Sequence, residues 1–153
     1  MSKKVLSLLL AVILLMGQFS ISVSASAMDD CSITREYLSD GSYYETKIEY
    51  GKTRSTITGA SKTTTYRNSV GVALWYVRVK ANFTFNGSSS SCTSSSCSAE
   101  SYSSSWKIIS RDSSRSGNTA YAKAKAAQYM PGALVGTKER TVSITCDKNG
   151  NVF

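Results

Sequence analysis

The chain has no histidine at all, and that absence removes more chemistry than any motif in it supplies. Without an imidazole there is no Ser-His-Asp or Cys-His nucleophile and no His-ligated metal. Acidic residues are scarce, ten against eighteen basic ones, which thins the supply of paired carboxylates. Glu45 and Glu49 would share a strand face, but four residues of strand hold them about 13 Å apart, beyond the roughly 5–9.5 Å of a glycosidase pair. Glu36, Glu100, Asp112 and Glu139 are scattered, and no Ser-Lys dyad stands out among the many serines. There is no glycine-rich phosphate loop, no internal repeat and no β-helix-β spacing. Asp147, Asn149 and Asn151 around Gly150 form only part of a calcium loop, and turn chemistry explains them better. The expectation is a protein that is not an enzyme and needs no cofactor or metal.

What is present begins with an export signal. Lys3 and Lys4 form a basic head, an apolar run follows as far as Phe19, and Ala25-Ser26-Ala27 supplies small residues for cleavage after Ala27. A membrane anchor needs about 20 apolar residues. Here Gln18, Ser20, Ser22 and Ser24 make the distal end too short and too polar. The expected organisation is a signal peptide over residues 1–27 and one secreted domain over 28–153, extracellular and at most loosely held by the cell wall. Loss of the two lysines takes the net charge from +8 to +6, which favours anionic wall polymers or other anionic partners.

Four cysteines, Cys31, Cys92, Cys97 and Cys146, are an even number in an oxidising compartment, and two disulfides are expected with three pairings open. Cys92 could close the CTSSSC loop with Cys97, leaving Cys31 to join Cys146, or crossed pairs could staple the serine-rich segment to the chain ends. CxxxxC without a second close pair is poor zinc spacing.

Secondary-structure signals are those of strands. Over residues 72–86, Val77, Val79, Ala81, Phe83 and Phe85 alternate with Tyr76, Arg78, Lys80, Asn82 and Thr84, the period of a strand with one buried face. Val72 and Leu74 have the opposite parity, which predicts a bulge around residues 74–76. Residues 43–50 and 53–58 read as strands about a turn at Gly51-Lys52, and residues 63–66 extend the β region. Residues 88–105 hold 12 serines in 18 positions, a linker composition that the cysteines convert into a pinned loop, with room for a short edge strand over 100–104. Residues 106–110 are a strand followed by a polar turn over 111–118. Residues 119–130 alternate Ala120, Ala122, Ala124 and Ala126 with Tyr121, Lys123 and Lys125. A helix there would bury little, so a strand is favoured, its alanine face lying under a bulky group such as Trp75 or Trp106. Residues 137–146 form the last strand, and the turn at 147–150 leaves Val152-Phe153 to pair. The fold class expected is all-β: a single-domain antiparallel β-sandwich, or open barrel, of about six to eight strands, disulfide-stapled.

The candidate binding surface is positional. If the strands carrying them are neighbours, Tyr76, Arg78 and Lys80 would join Tyr121, Lys123 and Lys125 in one basic aromatic stripe able to hold sugars or phosphate-bearing polymers. Asn82-Phe83-Thr84 and Asn86-Gly87-Ser88 match the glycosylation acceptor, a pattern short enough to arise by chance.

The residues from Trp75 through Val77, Val79, Phe83, Phe85, Gly87, Cys92 and Trp106, then Gly117-Asn118-Thr119-Ala120, Val142, Ile144, Cys146-Asp147 and Gly150, resemble a family of small secreted β-proteins from Gram-positive, often gut-dwelling Firmicutes. The resemblance covers residues 72–151. It implies a β-sandwich behind a signal peptide, without assigned catalytic residues, and a pairing of Cys92 with Cys146 that leaves Cys31 for Cys97. The function expected is non-enzymatic binding at the bacterial surface, with an anionic cell-wall polymer, glycan or partner protein ahead of nucleic acid. A cationic antagonistic, bacteriocin-like protein is the alternative.

Overall fold

The alternating run in the middle of the chain becomes the central strand of a two-sheet structure. The computed structural model describes residues 30–153 as eight strands: β1 (Asp30–Tyr37), β2 (Tyr43–Lys52), β3 (Thr56–Arg67), β4 (Ala73–Phe85), β5 (Ser90–Ser101), β6 (Trp106–Ser116), β7 (Thr119–Met130) and β8 (Ala133–Thr145). All pairings are antiparallel, β1 to β5 forming one sheet in that order and β6 to β8 a second. The signal peptide and cleavage site expected within residues 1–27 lie outside the described residues.

In β4, Trp75, Val77, Val79, Ala81, Phe83 and Phe85 are buried while Arg78, Lys80 and Thr84 face solvent. The parity change has the cause its pattern suggested. Tyr66 pairs with Trp75 but Arg67 pairs with Ala73, so Leu74 is the extra residue of a bulge. Across the core, Ala120, Ala122, Ala124 and Ala126 of β7 are completely buried, which settles residues 119–130 as a strand. With only methyl groups on that face, Cα atoms of β4 and β7 come within 8 Å, nearer than the roughly 10 Å usual between stacked sheets. The bulk is at the ends. Tyr44, Tyr66, Trp75 and Trp106 cluster with neighbouring ring centroids 5.2–6.4 Å apart. Ile57, Phe83, Ile144 and Cys146 belong to the same buried cluster.

Three expectations are overturned. The sheets do not close into a barrel, since no ladder joins β5 to β6 or β1 to β8. No disulfide staples the fold among the described residues: Cys92, Cys97 and Cys146 are free, each thiol donating to a carbonyl oxygen, of Ser94, Lys123 and Asp147 respectively. The backbone explains two of the excluded pairings. Cys92 and Cys97 sit on one extended strand, far beyond the ~4.4–6.8 Å Cα separation a disulfide spans. Cys31, on β1, is four strand spacings or about 19 Å from β5, which rules out the pairing with Cys97 that the resemblance implied. Finally, the serine-rich stretch is not a pinned loop. It is β5, a full strand paired along β4 from Trp75↔Ser101 to Phe85↔Ser90. Likewise the polar stretch after residue 110 continues β6, and the turn shrinks to Gly117-Asn118. Both strands bury few side chains, so neither carries an alternating apolar signal.

The two lateral edges of the sandwich differ. Along β5 and β6 the sheets lie close, and Arg115 reaches from β6 to the carbonyls of Cys92 and Thr93. On the other side five strands face three, and no Cα atom of β1 or β2 lies within 8 Å of a Cα atom of the second sheet's strands. This overhang leaves a cleft.

Candidate binding cleft

The floor of the cleft is the inner face of the overhang, and its register follows from the ladders. Thr34 pairs with Thr46 and Thr46 with Thr64, a row of three hydroxyls across β1, β2 and β3. One rung away, Glu36 pairs with Tyr44; on the other side Ile48 pairs with Lys62. Arg140, Thr141, Val142 and Ser143 of β8 make the wall, and the volume of the cleft, which is open to solvent, is about 320 Å³. That is within the range of small-ligand sites. Thr64 is buried, and its hydroxyl is 2.8 Å from that of Thr46, so each lowers the other's cost of leaving water.

Two cations meet one acid here. Arg140 grips Glu36 with one nitrogen 2.6 Å from a carboxylate oxygen and the other at 3.4 Å. Its guanidinium lies 4.4 Å above the Tyr44 ring. The hydrogen bond and charge of Arg140 hold the Glu36 carboxyl below its ordinary pKa. One guanidinium N–H, at Nε, is buried without an acceptor. Lys62 has no carboxylate within ion-pair distance among the described residues, and burial first and the positive charge of Arg140 second push its pKa down. The cleft therefore holds a half-buried ammonium group whose charged form is disfavoured, beside a guanidinium with one donor to spare and above a ledge of hydroxyls. A bound anion would relieve both costs.

The expected aromatic basic stripe is not assembled. β4 and β7 belong to different sheets and meet through their inner faces, so the alternate side chains look out in opposite directions. Tyr76, Arg78 and Lys80 lie on the outer face of the five-stranded sheet. Tyr76 is buried there against Tyr102, ring centroids 5.6 Å apart, with Arg78 5.4 Å above it. Arg78 also donates to the Thr63 hydroxyl. Tyr121, Lys123 and Lys125 lie on the outer face of the other sheet, where Lys123 pairs with Glu139 at 2.9 Å. Each triad is half of the surface expected, and neither lines the cleft.

The acids behave as structural groups. Partial burial raises the Glu45 pKa, but the hydrogen bonds and charges of Arg35 and Arg67 outweigh it and hold the carboxyl low. Glu49 forms an exposed ion pair with Lys47. Asp147 accepts from the backbone N–H groups of Asn149 and Asn151, both at 2.8 Å, and from the Asn151 amide, so its carboxylate closes a turn. No cluster of potential metal ligands exists among the described residues. Burial pushes the thiols of Cys92, Cys97 and Cys146 above their ordinary pKa, away from the thiolate form that reacts or binds metal.

Lys62, Arg140 and the threonine row were missed in the sequence because each looks like ordinary solvated surface. One signal was available: Lys138 and Arg140 share the parity of Val142 and Ile144, so they extend an inward face with charge. No family model, curated protein or solved structure matches the chain, and the functional reading accordingly rests on the cleft.

Proposed function

We propose that this protein is an exported, non-enzymatic binding protein whose cleft between β8 and the overhang of β1–β3 holds an anionic, hydroxyl-bearing ligand such as a phosphate-linked wall polymer or an acidic glycan. The observation that carries the reading is Lys62, half-buried, without a carboxylate partner and next to Arg140. The hydroxyls of Thr34, Thr46, Thr64 and Ser143 supply the donors and acceptors that a polyol would meet. The net charge, +8 for the full chain and +6 once Lys3 and Lys4 are removed with the signal peptide, would draw such a polymer in from a distance.

Binding to a purified glycerol-phosphate polymer, measured at two salt concentrations, tests the proposal. Retention at low salt that weakens as salt rises is expected, because partly exposed charges are screened over about 8–10 Å at physiological ionic strength. Lys62→Met should weaken retention about tenfold, the equivalent of about 1.4 kcal/mol, while Lys123→Met on the opposite outer face should leave it near the wild-type value. Absence of binding at low salt, or equal losses for the two variants, would overturn the assignment to the cleft.

A further inference from the structure

The three-stranded sheet has an unfinished edge. β8 pairs in a ladder with β7 alone, and its register along residues 137–145 is unbroken. At Thr145 both backbone groups turn away from β7: the Thr145 N–H donates to the Phe153 carbonyl at 3.0 Å, and the Phe153 N–H donates to the Thr145 carbonyl at 3.1 Å. With Cys146 bridged to Val152, Val152-Phe153 become the first two residues of a fourth strand, antiparallel to β8. Backbone groups alternate in direction along an antiparallel strand. Ser143, Thr141, Glu139 and Thr137 therefore present their N–H and C=O groups on the same side as Thr145, and no described residue bonds to them there.

That position is covered on one face. Of the five-stranded sheet only β3 and β4 come within 8 Å of β8, Cα to Cα, so this sheet projects past β8 by β1 and β2, two strand spacings or about 10 Å. A strand beside β8 would lie against this overhang, in the cleft whose floor is Thr34, Thr46 and Thr64 and whose wall is residues 140–143.

We propose that β8, over residues 137–143, receives an extended segment of a partner protein as a fourth antiparallel strand, one that turns serine or threonine and an acidic side chain toward the cleft. Donors and acceptors repeating at every second residue are matched by another extended backbone, and the free groups from Ser143 to Thr137 continue the row that Phe153 begins. The side chains select the sequence. Lys138, Arg140 and Val142 share the inward face of β8. Asp40 lies 3.8 Å from Lys138 and Glu36 2.6 Å from Arg140, which leaves Lys62 as a cation of the cleft without a carboxylate among the described residues. An inward acid on the incoming strand answers Lys62, whereas an apolar strand would bury the charge without compensation. A second copy of β8 is a poor occupant, because antiparallel self-pairing would set Lys138 and Arg140 of both chains on one face. The inference uses the backbone edge of the cleft and does not rest on the polymer reading.

The test uses the full chain, expressed in a secreting bacterial host, and a capped heptapeptide, acetyl-Thr-Ser-Val-Glu-Val-Ser-Thr-amide, which turns its serines and glutamate inward when its valine N–H groups face β8. Amide hydrogen exchange reads the added strand directly. In the free chain the amides of Thr137, Glu139, Thr141 and Ser143 should exchange at least tenfold faster than those of Lys138, Arg140 and Val142, whose N–H groups face β7; with the peptide the four should slow at least tenfold. N-methylation of both valines should weaken binding at least tenfold, N-methylation of both serines less than threefold, and Lys62→Met at least threefold. Four amides left unprotected at millimolar peptide, equal losses from the two methylated peptides, or slow exchange of the four amides in the dilute free chain would each overturn the proposal. A dimer that protects them would overturn it by assigning the edge to a second copy. Polymer retention without amide protection overturns this inference and leaves the polymer reading standing, and protection without polymer retention does the reverse.

Discussion

The two ends of this sandwich are built from the same elements, hairpin turns between long strands, and yet they meet the solvent in opposite ways. At the end holding the β4–β5 and β6–β7 turns and the C-terminal residues, the turns are polar and bonded to one another. Gly87 N–H donates to the Lys148 carbonyl, the Asn118 side chain and the Ser90 hydroxyl both donate to the Cys146 carbonyl, and Cys92 N–H donates to the Gly117 carbonyl. Val152 pairs back with Cys146, as the turn at 147–150 led one to expect. At the far end the aromatic cluster lies just inside, and the exposed Met130, Leu134 and Val135 of the β7–β8 hairpin lie just outside. One end is sealed by hydrogen bonds between turns and the other leaves apolar surface in water, which a soluble domain does not do in quantity without a partner for it.

The contrast can be broken most forcefully at the sealed end. Gly150 has φ +79°, and a Cβ there would sit 2.5 Å from Cζ of the buried Phe85 ring and under 3 Å from both Cε atoms. Gly150→Ala combines a left-handed backbone with overpacking and should cost about 2–4 kcal/mol. Chemical denaturation would measure the loss, and Phe85→Leu in the same chain should recover part of it.

A smaller effect is expected at the open side. The Glu36–Arg140 pair is partly exposed, so its contribution lies below about 1 kcal/mol. Because Arg140 lowers the pKa of Glu36, the contribution is present above the unfolded carboxyl value near 4.3 and is lost as pH falls through the lower folded value. Thermal melting of wild type and Glu36→Gln should therefore differ slightly at pH 7 and converge toward pH 3; a gap that widens on acidification would contradict the assignment.

The smallest effect sharpens the comparison from the other direction. Leu134→Glu removes an apolar side chain that is 59% exposed, and stability should stay within about 0.5 kcal/mol of wild type. A loss above about 2 kcal/mol would show that the hairpin tip is packed in solution.

Strands that cross the core were legible in the chain, and those that do not were not. β4 and β7 have one face entirely buried, so their apolar residues recur at every second position, and even the bulge at Leu74 left its mark as a change of parity. β5 and most of β6 bury little on either face, and serine or arginine satisfies such positions as well as any β-former. β1 was missed for the same reason, being an edge strand with exposed side chains. The cysteines misled because an even count in a chain expected to be exported suggested a disulfide framework, whereas here two thiols are core packing and a third lies half-buried beside it.

By itself, then, the sequence determined the strand periodicity, the small face of β7, the turns and the excess of basic charge, all properties of neighbours along the chain. Only the tertiary structure decided which strands oppose each other. It placed Arg78 and Lys123 on opposite outer faces, although their alternating patterns invite one shared stripe. It also drew Arg140 toward Glu36, 104 residues away, and left Lys62 without a carboxylate beside them. Strand periodicity says which face a residue is on; how five strands stack on three says what that face meets.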